Sequence, residues 1–223
     1  MIRCLIFDLD GTLVNAYPAV VSSVNYTLES LGFPKKTAYQ IKRAVGWGDR
    51  QLMAQFVGEK LADQAIKLYR PHHQQALAKG VRFLPGALDL LKWAHAQGLK
   101  VAIATNRPEM FTLVILQGLN ATDHFDQICC ADKAKEPKPH PAMLLEICRR
   151  LKVKKHEVLF VGDMTIDLNC GANAGIRTVG IPTGSNKKKE LKELKPYKII
   201  DKLNQLKQVI ALTNKGDLRK ETA

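Results

Sequence analysis

Two aspartates stand two positions apart directly after an apolar run near the start of the chain, in the sequence FDLDGT at residues 7–12. Two like charges about 4 Å apart repel each other by roughly 4 kcal/mol at an effective dielectric of 20. Asp8 and Asp10 therefore require a cation, a bound proton or a catalytic task that offsets this repulsion.

Other polar side chains follow apolar runs in the same way. Thr105 and Asn106 come after residues 100–104, and Asp163 comes after residues 157–161, with Asp167 about one helical turn later. Lys138 stands in the sequence EPKPHP, just before a helical pattern. Carboxylate and carbonyl oxygens are the ligands that Mg²⁺ prefers, so these acids predict a Mg²⁺ site. The predicted metal ligands are Asp8, Asp10, Asp163 and Asp167.

The elements that must position these side chains are short apolar strands alternating with helices. Nearly continuous apolar character is typical of parallel strands that are covered on both faces. The alternation predicts an α/β fold with a doubly wound parallel sheet, in which sites form at the carboxyl ends of the strands. Strands are predicted at residues 3–7, 100–104, 126–131, 157–161, 178–181 and 198–200, and helices at 86–97, 108–118, 141–151, 166–174 and 202–212.

One long segment, residues 16–80, carries no strand pattern. Val20, Val24, Leu28 and Leu31 fall on one helical stripe, and glycine-containing breaks near residues 32–34 and 46–48 divide the segment into about four helices. We predict an inserted α-helical cap domain at 16–80, a Rossmann-like catalytic core at 1–15 and 81–213, and a flexible tail at 214–223.

Composition excludes several classes of protein. The 223 residues are 46% hydrophobic and 25% charged, and no apolar run approaches the ~18 residues of a membrane span. The early acids interrupt any export signal, so we expect a cytoplasmic protein without a membrane partner.

Five cysteines without a C-x-x-C pair argue against disulfides and zinc. The net charge of +13 is concentrated in residues 133–155 and 182–223; without interleaved aromatic residues it indicates a solvated surface that attracts anions and does not predict nucleic-acid binding.

The motifs DLDGTLV, ATNR, KPHPAML and GDMTIDLNCGANAG together resemble the four signatures of the haloacid dehalogenase-like superfamily, and they lie within residues 3–181. The inserted helices resemble the small helical cap of that superfamily. More narrowly, NAYPAVVSSVNYTLESLGFP, AVGWGDRQLM and RFLPGALDLL are similar to segments of phosphoglycolate phosphatases. The resemblance implies a Mg²⁺-dependent phosphomonoester hydrolase with a small phosphorylated metabolite, such as 2-phosphoglycolate, as its substrate.

The chemistry assigns a role to each of the predicted catalytic residues. Asp8 would attack phosphorus and form an aspartyl-phosphate, and Asp10 would act first as acid and then as base. Thr105 and the backbone near Asn106 would bind phosphoryl oxygens, while Lys138 would neutralise the phosphate and Asp8. An acid at position 10 favours a phosphatase over a dehalogenase, which has no alkoxide to protonate.

Several alternatives remain open from the sequence. The substrate could instead be a sugar phosphate, a nucleotide or pyrophosphate, the reaction could be that of a phosphomutase, and a non-catalytic phosphate- or nucleic-acid-binding protein is a remote alternative. The protein is expected to be a monomer or a homodimer. In the predicted cap, Trp47 and Arg50 are candidates for substrate contact. His72 and His73 are expected to lie away from the acids.

Overall fold

The computed structural model describes residues 1–221, with side-chain surroundings through residue 216. Its centre is a six-stranded parallel sheet with the strand order β5-β4-β1-β6-β7-β8. A second, two-stranded antiparallel sheet pairs β2 with β3. The strands are β1 Cys4–Phe7, β2 Val14–Asn15, β3 Arg82–Phe83, β4 Lys100–Thr105, β5 Gln127–Cys130, β6 Val158–Gly162, β7 Arg177–Gly180 and β8 Lys198–Ile199.

Ten α-helices accompany the strands in the described part of the chain. Helices cover both faces of the large sheet, so the fold is the predicted α/β fold with a doubly wound parallel sheet and an inserted helical cap. The helices are α1 Tyr17–Ser30, α2 Ala38–Ala44, α3 Asp49–Val57, α4 Glu59–Gly80, α5 Ala87–Ala96, α6 Glu109–Gly118, α7 Ala142–Leu151, α8 Thr165–Ala174, α9 Lys188–Glu193 and α10 Leu206–Glu221.

Strand β1 shows how the apolar runs build the two core layers. Successive strand side chains point to opposite faces, so Leu5 and Phe7 join the hydrophobic cluster on one face, while Cys4 and Ile6 join the cluster on the other. All four are fully buried. Because β1 pairs with both β4 and β6, it lies in the middle of the sheet, and the residue that follows it emerges at the centre of the carboxyl edge.

Residues 17–80 form four helices with a hydrophobic cluster of their own. Val20, Val24 and Leu28 of α1 are buried in it, as the helical stripe predicts, together with Met53 of α3 and Tyr69 of α4. The short strands β2 and β3, which the sequence pattern did not predict, pair where the chain enters and leaves these helices.

The C-terminal helix differs from the sequence prediction. The sequence predicts a helix that ends near residue 212, whereas α10 extends to Glu221. The flexibility of residues 214–223 stays a prediction. Thr213 is buried, and Asn214 accepts a hydrogen bond from the Ile2 backbone N–H at 2.7 Å, so the helix is held against the start of the chain at this point. Residues 222 and 223 of the predicted tail lie outside the described residues.

The five cysteines are all buried and free. Cys129 packs in the hydrophobic cluster on one face of the sheet, and the neighbouring Cys130 of β5 is buried as well.

Within the part of the chain that the structure describes, each helix is too short or too polar to cross a lipid bilayer.

Candidate active site

The carboxyl edge of the large sheet gathers the predicted polar residues. Asp8 directly follows β1, Thr105 is the last residue of β4, and Asp163 directly follows β6. These three strands are parallel neighbours, so their carboxyl ends meet at one place. Asp167 joins them from the first turn of α8, and Lys138 from the loop between β5 and α7.

Lys138 is the centre of a buried ion cluster. Its Nζ donates hydrogen bonds to Asp8 Oδ1 at 2.6 Å and to Asp167 Oδ1 at 2.7 Å, and its side chain is 2% exposed. Asn106 fixes the backbone of Lys138: Asn106 Oδ1 accepts from the Lys138 N–H at 2.8 Å, and Asn106 Nδ2 donates to the Lys138 carbonyl at 2.9 Å. Asn106 therefore positions the lysine from the end of the neighbouring strand.

The acids of this cluster carry more negative charge than the lysine neutralises. Burial raises the pKa of Asp8 to about 7, with Lys138 opposing the shift and Asp167 adding to it. Burial, followed by the charges of Asp8 and Asp167, also holds the pKa of Asp163 well above its usual range. Burial opposes the charge of Lys138, but Asp167 and Asp8 outweigh it and raise the pKa of the ammonium.

The arrangement of oxygens fits a metal ion. Carboxylate oxygens of Asp8, Asp163 and Asp167 lie within 4.8 Å of one another. Asp163 is held by neutral donors, the Thr12 hydroxyl at 3.0 Å and the Ser185 N–H at 3.3 Å, which leave its charge uncompensated. A cation among these oxygens would offset the burial and the mutual repulsion that raise both pKa values, so the cluster can hold a metal ion with oxygen ligands.

Gly184 is required by the close approach of backbone to this cluster. A Cβ atom at residue 184 would lie 1.4 Å from Asp163 Oδ2, which no side chain could avoid without displacing the carboxylate. The Asp163 carboxylate therefore occupies the space that a side chain at residue 184 would need.

Asp10 lies at the same edge and pairs with Arg107, to which the sequence analysis gave no role. Arg107 Nε donates to Asp10 Oδ2 at 2.6 Å, and Arg107 Nη1 contacts His73 Nε2 at 2.8 Å. Asp10 Oδ1 is buried and has no hydrogen-bond partner among the described residues, and the same is true of the Tyr17 hydroxyl. Asp10 and Tyr17 both belong to the lining of the cavity that Asp8 also lines.

The four inserted helices cover this cavity. Asn106 Nδ2 donates a hydrogen bond to the Gly46 carbonyl at 2.9 Å, which ties the loop before α3 to the sheet edge. A Cβ at Gly46 would lie 2.6 Å from Met164 Cε, so the loop approaches the core closely. The cavity wall contributed by the inserted helices and their loops comprises Tyr17, Val20, Val45, Gly46, Gly48, Asp49, Leu52, Tyr69 and His73.

The structure brings most of the predicted site residues together. Asp163 is buried within the acidic cluster. The predicted residues that line the cavity itself are Asp8, Asp10, Thr105, Asn106, Lys138 and Asp167.

Trp47 and Arg50, the predicted substrate contacts of the cap, do not line the cavity. Arg50 forms ion pairs with Glu59 and Asp63 at 2.8 Å each on the outer surface, and Trp47 is 56% exposed. For Arg50 the reason is the phase of α3: Asp49 and Leu52 face the cavity, and a helical step of about 100° turns Arg50 away from it.

The cavity residues to which the sequence analysis gave no role include Tyr17, His73 and Arg107. The expectation that His73 lies away from the acids is corrected, because α4 carries it over the sheet edge to Arg107. For Arg107 a signal existed, since it follows Thr105 and Asn106 at a strand end. A single histidine or tyrosine in a helical segment carries no such signal.

Comparison with known proteins identifies the class. Residues 5–181 match the haloacid dehalogenase-like hydrolase family. The chain therefore belongs to this family of hydrolases, and its curated relatives place it with the family's phosphatases.

Two of these relatives cover nearly the whole chain. Phosphoglycolate phosphatase 1 of Pseudomonas aeruginosa is 30% identical over 213 residues, which are 92% of this chain and 78% of the relative. A phosphoglycolate phosphatase of Pseudomonas fluorescens is 32% identical over the same shares of the two chains. A crystal structure of a predicted phosphoglycolate phosphatase from Haemophilus somnus is also similar, with a TM-score of 0.85, 26% identity, and coverage of 94% of this chain and 98% of that chain.

Proposed function

We propose that the protein is a Mg²⁺-dependent phosphomonoesterase in which Asp8 attacks phosphorus and carries the phosphoryl group as an aspartyl-phosphate. The observation that supports this is the setting of Asp8: its carboxylate follows the central strand β1, Lys138 holds one oxygen at 2.6 Å, and Asp10 lies two residues further on. A buried nucleophile, a buried cation and a second carboxylate are the groups that phosphoryl transfer through a covalent intermediate requires.

The metal would be held by the carboxylates of Asp8 and Asp163 and by the backbone carbonyl of Asp10, with Asp167 acting through water or on Lys138. When bound, Mg²⁺ supplies positive charge against the phosphate and the acids.

The remaining residues bind the phosphoryl group and move the proton. The Thr105 hydroxyl oxygen accepts a hydrogen bond from the Arg107 N–H at 3.2 Å, so its own hydrogen is free to be donated to a phosphoryl oxygen. In the first displacement the bond between phosphorus and the leaving oxygen breaks, and Asp10 protonates that oxygen. In the second, Asp10 takes a proton from the water that attacks the aspartyl-phosphate.

For the substrate we propose a small phosphorylated metabolite, with 2-phosphoglycolate as the first candidate. The support comes from the relatives that are named phosphoglycolate phosphatases. The location of Arg50 gives no support, because its guanidinium is paired with Glu59 and Asp63 outside the cavity.

We also propose that residues 16–80 are the cap domain and that residues 1–15 and 81–213 are the catalytic core. The separate hydrophobic cluster of α1–α4 and the position of these helices over the cavity support this division. Free, buried cysteines support a cytoplasmic location.

The test is a panel of phosphomonoesters assayed for released phosphate, with Mg²⁺ and with a chelator. We expect hydrolysis only with Mg²⁺, with the highest kcat/KM on 2-phosphoglycolate, and a loss of several orders of magnitude in the Asp8→Asn variant. A preference for a hexose phosphate or a nucleotide would refute 2-phosphoglycolate as the substrate but would still agree with a phosphatase. Isomer formation without phosphate release would identify a phosphomutase, and full activity of Asp8→Asn would refute the mechanism.

A further inference from the structure

Arg107 links the sheet edge to the helices that cover it. It follows β4 in the core, its side chain is 8% exposed, and it is held on two sides. On one side Nε donates to Asp10 Oδ2 at 2.6 Å. On the other side Nη1 lies 2.8 Å from Nε2 of His73, which belongs to α4 of the cap. The guanidinium therefore bridges a carboxylate of the core and an imidazole of the cap.

The directions of these hydrogen bonds follow from the chemistry of the groups. A guanidinium only donates, so Nε2 of His73 must accept, and the ring must be neutral with its proton on Nδ1. Burial, and then the charge of Arg107, lower the pKa of His73 to about 2, which agrees with a neutral ring. Nδ1 lies 3.2 Å from Ser23 Oγ, and Ser23 in turn donates to the Ala19 carbonyl at 2.8 Å. Each donor thus meets an acceptor.

Packing fixes the imidazole in this orientation. The His73 ring stacks on Tyr69 with centroids 4.7 Å apart, and it forms a T-shaped contact with the ring of Phe111, with centroids 4.9 Å apart. His73 is 1% exposed. A neutral ring that is buried and sandwiched in this way is a rigid acceptor for Arg107.

The contact with Arg107 determines how the Asp10 carboxyl group is oriented. Its Oδ2 is occupied by Arg107, and its Oδ1 is buried without a hydrogen-bond partner among the described residues, in the cavity that Asp8 also lines. A carboxyl group with one oxygen held in place presents the other in a defined direction.

We propose that Arg107 and His73 are positioning residues for Asp10: His73 of the cap fixes Arg107, and Arg107 turns the free oxygen of Asp10 toward the leaving group. The inference rests on the proposed phosphatase function. In the step concerned, the O–H bond of the Asp10 carboxylic acid breaks, its proton joins the leaving alkoxide to form an alcohol, and Asp10 becomes a carboxylate. Because His73 comes from the cap, the proton donor is aligned only when the cap is packed on the core.

The test compares an alkyl and an aryl ester in the single-turnover burst with Mg²⁺ present. Ethyl phosphate needs a proton on its leaving group, and p-nitrophenyl phosphate does not. His73→Phe keeps a ring between Tyr69 and Phe111 but removes the acceptor. We expect it to slow the ethyl phosphate burst about 10- to 100-fold and the p-nitrophenyl phosphate burst less than about threefold, because small misplacements of a catalytic group cost this much.

Two further variants separate positioning from packing. His73→Gln offers an amide oxygen in place of Nε2 and should recover most of the ethyl phosphate rate. His72→Phe is the matched control: His72 also contacts Ser23, at 3.1 Å, and stacks on Tyr26, but it makes no hydrogen bond to Arg107. It should leave the ratio of the two burst rates unchanged.

Arg107→Lys provides the same test if His73→Phe fails to fold, since it keeps a positive charge but loses the two-sided guanidinium; the same selective loss on ethyl phosphate is expected. A ¹⁵N NMR spectrum of His73 should show the proton on Nδ1. Equal losses on both esters, no difference between His73→Gln and His73→Phe, or a proton on Nε2 would overturn the proposal. A wild-type protein that releases no phosphate from either ester would overturn the proposed function as well.

Discussion

Removal of Mg²⁺ at different pH values tests the acidic cluster directly. We expect Mg²⁺ to stabilise the folded protein strongly at pH 8 and barely at pH 5. The reason is the pKa of Asp8, which burial raises to about 7. Without metal, the Asp8 carboxyl binds its proton more tightly in the folded protein than in the unfolded chain. The free energy of unfolding therefore falls as the pH rises from about 4 to about 7. A cation that binds the deprotonated form reverses that loss.

The magnitude follows from competition between the proton and the metal. At a Mg²⁺ concentration about 100 times Kd at pH 8, binding stabilises the fold by about 2.7 kcal/mol. Two pH units below the pKa, one competing proton weakens binding about 100-fold, so that at pH 5 the stabilisation falls to about 0.4 kcal/mol. For a chain of this size Tm changes by about 2–4 °C per kcal/mol. The expected Mg²⁺ shift in Tm is therefore about 5–11 °C at pH 8 and about 1–2 °C at pH 5.

The assay is thermal unfolding in Mg²⁺ and in EDTA at each pH, and the quantity compared is the difference in Tm between the two solutions. Taking this difference cancels groups remote from the metal, including His73, whose pKa is also shifted. Asp163→Asn should abolish the Mg²⁺ shift, whereas Asp201→Asn, which removes a surface ion pair with Lys188, should retain it. A Mg²⁺ shift of equal size at pH 5 and pH 8, or its persistence in Asp163→Asn, would refute the reasoning.

Four substitutions extend the test to the chemistry. Asp8→Asn should reduce steady-state phosphate release by several orders of magnitude while circular dichroism shows a folded chain; residual turnover near wild type would contradict its role as nucleophile. Asp10→Asn should slow the single-turnover burst on an alkyl phosphate much more than on an aryl phosphate, and equal losses would mean that Asp10 is not the acid. Lys138→Met leaves two buried carboxylates unpaired and should lower the free energy of unfolding in EDTA by about 3–5 kcal/mol in denaturant titrations; a change below about 1 kcal/mol would count against the buried cluster. Arg50→Ala removes only exposed ion pairs and should change kcat/KM for 2-phosphoglycolate less than about threefold. A tenfold loss would indicate that Arg50 contacts the substrate.

The large sheet could be predicted because its strands are apolar enough to stand out from the helices between them. The parallel order then follows from the alternation of strand and helix, and it places the residues after β1, β4 and β6 at one edge without knowledge of any side-chain contact. Strands β2 and β3 have two residues each, which is too short for an alternating pattern to be recognised. Helix α10 continues beyond its predicted end, and one of its contacts there, from Asn214 to Ile2, joins residues that are 212 positions apart in sequence and that no local pattern connects.

The cap residues could not be predicted in the same way, because contact with the cavity depends on helical phase. One residue along a helix is a rotation of about 100°, so a small uncertainty in where α3 begins decides whether Asp49 or Arg50 faces the core. In the structure Gly48 is the N-cap of α3, and Asp49 faces inward, where Arg70 pairs with it at 2.8 Å. The position of His73 likewise depends on how α4 packs over the sheet, which no local pattern encodes.

The charged side chains at the sheet edge show what offsets the repulsion between Asp8 and Asp10. Lys138 pairs with Asp8 and Asp167, and Arg107 pairs with Asp10. Among the described residues, Asp163 accepts hydrogen bonds only from neutral donors, Thr12 and Ser185. The fully ionised cluster would thus hold four carboxylates against two cationic side chains, an excess equal to the charge of one divalent cation. The backbone at Gly184 packs directly against the Asp163 carboxylate, so this uncompensated acid is buried against the chain itself. A protein that only needed stability at this edge would gain more from apolar residues, because buried ion clusters seldom repay their desolvation. The acids are therefore better explained by the binding of a cation and a phosphate than by folding.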